Sequence, residues 1–493
     1  MGFLGIDVGT GGTRAVVINE GGEVVAQATA EHAPFVSSQI GWSEQSPEDW
    51  WRALTEAVSS VLRSVPSKEI AGVSFSGQMH GSVFLDQSDE VIRPALLWND
   101  QRTADQVAVL RQTIGDERVI ELVGNPAVTG FTLPKLLWLR ETEPENWRRV
   151  CSVLLPKDYV RFRLTGEKAC DVADGSGTLM FDVKNRRWSS EMLELVNIDP
   201  SLLPRVVESI DAAGMVSDVG AKATGLKPGT PVFAGAGDNA AGAIGAGLVS
   251  PGTLGATIGT SGVIFVVTDQ PTADRNGRVH SLCHAIPGRW HMTGVTLAAG
   301  YSLKWFRDTF AAGASYDELT AEAAKVPPGS EGLIWQPYLM GERSPHMDPN
   351  AKASFTGITG SHGRGHFVRA IMEGVAFSLR DSIDIFKSLG VAVNEIRLGG
   401  GGAISPLWRQ IQSDVYGQPV STPEADEGAA FGAAILAGVG AGRWPSVDAA
   451  VIETIKIDQT IEPDEDAVAA LEENYAVFRS LYPAVRNAAG MER

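Results

Sequence analysis

Two nine-residue stretches of this 493-residue chain, LGIDVGTGG (4–12) and LGATIGTSG (254–262), share the frame Leu-Gly-x-x-x-Gly-Thr-x-Gly half a chain apart. In each, an apolar run enters a glycine-threonine turn and a β-branched run leaves it, TRAVVI (13–18) in the first copy and VIFVVT (263–268) in the second. Glycine-rich turns between β-branched runs predict hairpins. Two such hairpins so far apart are not a short-period repeat. They predict two related α/β domains facing one another across a cleft, with a boundary in the Ser-Pro-Gly turn near 248–252, so that the domains are 1–247 and 248–493. The copies differ at one chemically distinct position: Asp7 in the first is Thr257 in the second.

The elements around each hairpin repeat in outline. After FLGIDV (3–8) and TRAVVI come a third strand, VVAQATA (24–30), a helix opened by Ser-Pro-Glu-Asp over 46–65, and a buried strand, EIAGVSFSG (69–77). The second half gives strand, GTSG turn and strand over 252–269, then helices over 297–310 and 367–389. A strand runs into four glycines over 395–403, and helices follow over 406–417 and 427–440. This α/β order is that of an open sheet with helices packed on it.

Four segments carry candidate chemistry. In the first turn, Gly9, Gly11 and Gly12 let backbone N–H groups approach an anion, Thr10 and Thr13 add hydroxyls and Arg14 a charge. No Gly-Lys-Ser/Thr follows and the next element is a strand, so this is neither a Walker loop nor a dinucleotide fingerprint. An ordinary tight hairpin would use the same residues; the second copy, with Gly259, Thr260 and Ser261, favours two turns that hold a polyphosphate from both sides. Asp7 lies in the strand before the first turn. Its natural partner beside a phosphate is Mg²⁺, held through water; its own turn is the other candidate.

In VFAGAGDNAAGAIGAG (232–247) Asp238 is the sole charged residue, followed by Asn239. A carboxylate among Gly and Ala at a strand end suits a general base in a dry cleft, the favoured reading; a compatible one is an N-cap, where the helix would lower its pKa and keep it ionised at pH 7. Gln78, Met79 and His80 sit between glycines on a loop, and Trp98, Asn99 and Asp100 stand beside Arg102; both sets mix the groups that contact sugars. LGGGGA (398–403), with Gly400, Gly401 and Gly402 at a strand-to-helix junction, would let a base or ribose lie against the backbone.

Composition excludes other classes. The formal net charge of −18 argues against nucleic acid or an anionic membrane as partner. Three scattered cysteines form neither a disulfide framework nor a zinc spacing, which predicts a reducing cytoplasm. The chain enters a strand at once, so no signal peptide is expected, and GAAFGAAILAGVGAG (428–442) is too short to span a bilayer.

These motifs together resemble the FGGY carbohydrate kinases, from Gly5 to the Gly/Ala helix near residue 440. GIDVGTGGTRAVV resembles the family's first phosphate motif, GTLGATIGTSG the second, LGGGGAISPLWRQIQSD the adenosine motif, and YLMGERSPHMDPNAKASFTG (338–357) its Glu-Arg-x-Pro segment. SGQMHG, LLWNDQRT and AGAGDNAAGAIGAG resemble the xylulokinase branch; Ser82 stands where that branch is expected to carry alanine. The resemblance implies two ribonuclease-H-like, actin-like ATPase domains with a central cleft that binds ATP and Mg²⁺. It implies phosphoryl transfer to the 5-hydroxyl of D-xylulose, with Asp238 as proton acceptor and Asp7 acting through the metal. Met79 and His80 would contact the sugar, and Thr260, Gly300 and Gly401 the nucleotide. It also suggests a homodimer. The rival readings are a kinase for another ketose or polyol such as ribulose or an arabinitol, a nucleotide-driven switch of the actin or chaperone kind, and a catalytically dead sensor.

Overall fold

The computed structural model describes residues 1–424 and 428–488. The chain packs as two compact units: Met1–Ser250, Thr268–His291 and Glu427–Ile455 form the first, and Pro251–Val267, Met292–Asp426 and Lys456–Arg493 the second. These units do not follow a single cut at 247/248, because two later segments pack with the first.

The first unit is built on a seven-stranded sheet. Its spatial order is Ala212–Met215, Pro231–Phe233, Ile70–Gly77, Gly2–Val8, Gly12–Asn19 and Val24–Glu31, with Ala236–Gly237 added beside Ile70–Gly77. Gly2–Val8 is antiparallel to Gly12–Asn19 and parallel to Ile70–Gly77, so it is central and buried on both faces. Alternation along it decides the site. Leu4, Ile6 and Val8 face one way, against Trp50, Leu54 and Val58 of the helix Pro47–Val61 and Tyr159 and Val160 of the helix Pro156–Thr165. Phe3, Gly5 and Asp7 face the other way, toward the helices Asp238–Gly245 and Gly428–Gly440.

That second layer depends on missing side chains. A Cβ on Gly5 would lie 1.9 Å from the Ala430 carbonyl, and one on Gly432 would lie 1.9 Å from the Ala241 carbonyl. The Gly/Ala helix therefore lies directly against the strand and the Asp238 helix. It runs Gly428–Gly440; Glu427, the expected first residue, lies outside the described residues.

The second unit repeats the order. Trp290–Thr296, Gly262–Thr268, Thr253–Ile258, Glu395–Gly400, Val420–Pro423 and Ile457–Ile461 are successive neighbours in its sheet. Thr253–Ile258 is antiparallel to Gly262–Thr268 and parallel to Glu395–Gly400, which is parallel to Val420–Pro423. A three-strand meander followed by parallel strands beside its first strand is the arrangement expected of ribonuclease-H-like domains, and it occurs twice. The helices expected over 297–310 and 367–389 run Gly300–Phe310 and Arg364–Ser388.

Candidate active site

Asp7 reaches its place because its neighbours in register are Arg14 on one side and Ser76 on the other. Ala236–Gly237 pairs with Ser76–Gly77, which sets the next residue, Asp238, at the head of its helix on the Asp7 face. Burial raises the Asp7 pKa, against the Ser76 hydroxyl and the Arg14 charge, which pull it down. Burial first, and the Asp7 charge second, push Asp238 up to about 7, with the Asn239 N–H opposing. This corrects the expected lowering by the helix terminus. Asp238 is the first helical residue and Gly237 the N-cap, so no side-chain cap forms; desolvation and the second carboxylate outweigh the helix field.

The sugar-loop candidates converge on the same edge of the first unit. Met79 is buried, and its Sδ lies 3.8 Å from Asn239 Nδ2; a Cβ on Gly237 would come within 2.6 Å of Met79 Cγ. The Thr10 hydroxyl donates to Gln78 Oε1 (3.3 Å) and accepts from Trp98 Nε1 (3.0 Å), so the glycine-threonine turn and the loop touch directly. Trp98 is 44% exposed and can present a face to a ligand. Asn99 Oδ1 is buried without a hydrogen-bond partner. His80 stacks on Phe131, with ring centroids 4.3 Å apart, and its Nδ1 lies 2.7 Å from the Gly177 carbonyl.

Several candidates also hold the structure together. Asp100 is fully buried; it takes Arg102 on both oxygens and the Ser43 N–H at 2.7 Å. The Thr13 hydroxyl is buried 2.8 Å from His32 Nε2. Arg14 donates to Gln27 at 2.6 Å. Gly12 begins a strand, where a Cβ would meet the Ala30 carbonyl at 2.8 Å, so the open part of the turn is Gly9–Gly11.

The second unit holds a cavity of about 530 Å³, lined by Gly259, Thr260, Gly300, Gly401 and Gly402 together with Tyr316, Ile404 and Trp408. Its glycines permit close backbone packing. The Gly300 N–H donates to the Gly259 carbonyl (2.8 Å), and a Cβ there would lie 2.4 Å from the same oxygen. Ala299 and Tyr301 N–H groups both donate to the Thr260 carbonyl. Gly400 has φ +68°, where a side chain would be strained. Ser261 follows in the turn, its carbonyl accepting from Gly259 N at 2.9 Å. The Glu-Arg-x-Pro segment braces this region: Glu342, buried, accepts from Leu297 N at 3.0 Å and Arg343 N at 2.7 Å. Tyr316, Ile404 and Trp408 left no pattern in the sequence that distinguishes cavity wall from core; only the glycines did.

Two sequence-family models match the chain: the N-terminal domain of the FGGY family of carbohydrate kinases over residues 3–245, and its C-terminal domain over 254–441. A xylulose kinase of Bacillus subtilis is 40% identical over 97% of this chain and 96% of its own length, and one of Escherichia coli is 39% identical over 97% and 98%. The crystal structure of a xylulose kinase from Rhodospirillum rubrum superposes with a TM-score of 0.94 at 30% identity, over 99% of each chain.

Proposed function

We propose that this chain, which belongs to the FGGY family of carbohydrate kinases and is an enzyme that phosphorylates a sugar with ATP, takes D-xylulose as the sugar and makes D-xylulose 5-phosphate. Support comes from the xylulose kinases just described and from the cluster of buried Gln78 and Met79 with Asn99 and the exposed Trp98. The observation that carries the mechanism is the acidic pair: Asp238, at about 7, is poised to accept a proton near neutral pH.

In this reading Asp238 hydrogen-bonds the 5-hydroxyl and takes its proton as oxygen attacks the γ-phosphorus. Such a base is worth ~10²–10⁴-fold. Met79 packs against the sugar and Asn239 and Asn99 hydrogen-bond its hydroxyls. Asp100 and Thr13 support the loops from behind; Gly9–Gly11 and Gly259–Ser261 present N–H groups to the phosphates. The cavity walled by Tyr316, Ile404 and Trp408 receives the adenosine, against Gly400–Gly402.

Magnesium fits the residues present. Asp7 Oδ1 is buried without a partner, and a second carboxylate raises the cost of leaving it unneutralised. Among the described residues no cluster of three or more His, Cys, Asp or Glu side chains could hold a metal. One protein carboxylate with water and phosphate oxygens suits Mg²⁺. Bound at Asp7, the ion would neutralise charge on the phosphates.

The test is ADP release measured with Mg-ATP over D-xylulose, D-ribulose, L-arabinitol and gluconate. The highest kcat/KM is expected for D-xylulose. A higher value for any of the others would overturn the choice of sugar, and ATP turnover unmoved by every sugar would favour a switch.

A further inference from the structure

Lys135 is fully buried in the first turn of the helix Thr132–Thr142, in the first unit. Its Nζ donates to the His80 carbonyl and to the Gly130 carbonyl, each at 2.7 Å. Thr132 Oγ1 donates to the same His80 oxygen at 3.1 Å. His80 itself has φ +65°, a left-handed conformation that a non-glycine residue keeps only when its surroundings enforce it. The enforcement is visible: two donors on its carbonyl, Phe131 under its ring, and Gly177 bonded to Nδ1 and lacking the Cβ that would lie 2.6 Å from Cε1.

The ammonium has no ion-pair partner among the described residues. Asp100 contributes the favourable charge and Arg102 opposes it, while burial pulls the pKa down to about 7. Burying a lone ammonium costs free energy that an apolar side chain of similar length would not. What it supplies in return is a buried hydrogen bond that holds one backbone carbonyl in the Gln78–Met79–His80 loop.

We infer that Lys135 is a positioning residue for the acceptor sugar, fixing through the His80 carbonyl the strained loop that presents Met79 and His80. The inference rests on the reading of that loop as the sugar subsite. Lys135 does not touch the sugar and takes no part in the proton transfer. Its loss removes binding shared by ground and transition states, which raises KM and spares kcat.

The experiment compares wild type, Lys135→Met and Thr132→Val, with two readouts. Steady-state kinetics with D-xylulose should show sugar KM raised about tenfold in Lys135→Met and about threefold in Thr132→Val, with kcat within about threefold and ATP KM within about twofold. Amide hydrogen exchange over residues 78–82 should be faster in both variants. Sugar KM unchanged in the variants, with only a lowered Tm, overturns the inference. If Lys135→Met does not fold, Thr132→Val decides alone on the same criteria. If wild type does not turn over D-xylulose, the choice of sugar fails separately, and unchanged exchange over 78–82 in the variants then overturns the role of Lys135 while faster exchange upholds its hold on the loop.

Discussion

A carboxylate pushed up to about 7 by burial and by a second carboxylate, itself raised, is half-ionised near neutral pH. With Asp238 as base, kcat/KM for the sugar should rise with pH with unit slope below about 7 and then level. A flat profile from pH 6 to 8 would put the proton elsewhere. The same shift has a cost in stability. Because the folded pKa lies above the ordinary aspartate value of 3.8, the folded state holds the extra proton between pH 3.8 and about 7. Stability therefore falls as pH rises through that window. Asp238→Asn should raise Tm at pH 8, with the gain closing toward pH 4; melting curves at both pH values read this. Asp7 and Asp238 were legible in the sequence because each is a lone acid in an apolar run. The direction of the Asp238 shift was not, since it depends first on how completely the fold buries the carboxyl and only then on the Asp7 charge. Lys135 was not legible either: in TLPKLLWLR it looks like one more helix lysine, and only the tertiary fold closes it off from water.

At the scale of elements, the glycine-threonine turns do different work. The first is tied to the Gln78–His80 loop and to Trp98 through the Thr10 hydroxyl, which Gln78 and Trp98 share. The second is tied to the helix Gly300–Phe310 through Gly259 and Thr260. Thr257, the counterpart of Asp7, is exposed and faces Gly399. A second acid there would repel the phosphates, so Thr257→Asp should weaken ATP binding roughly tenfold, or about 1.4 kcal/mol, by calorimetry. ATP affinity equal to wild type would remove this turn from the phosphate site. The Gly/Ala helix is a packing device: Gly432→Ala would drive a methyl into the Ala241 carbonyl and should cost at least the ~1–3 kcal/mol of ordinary overpacking, seen as a lower urea midpoint. The hairpins could be read from glycine and β-branched spacing, because that periodicity is local. The partner of the Gly/Ala helix could not, because a stretch of small residues records that something approaches closely and not what approaches.

In the whole molecule, the acidic pair and the Gln78–His80 loop belong to one compact unit and the glycine-lined cavity to the other. The repeated frame predicted two sheets of one topology, and the second sheet repeats the order of the first. The segments Thr268–His291 and Glu427–Ile455 join the first unit against their order in the chain, a choice set by tertiary packing that local pattern does not carry. Among the described residues no helix is long and apolar enough to cross a membrane. The central claim is that Asp238 supplies the base for transfer while the cavity of the other unit binds the nucleotide. Single-turnover phosphorylation of D-xylulose by Asp238→Asn, with ATP affinity measured on the same sample, tests it most directly. The expected result is a rate at least ~10²-fold below wild type with ATP affinity unchanged. A rate within about threefold of wild type would contradict it, because a base worth ~10²–10⁴-fold cannot be lost so cheaply.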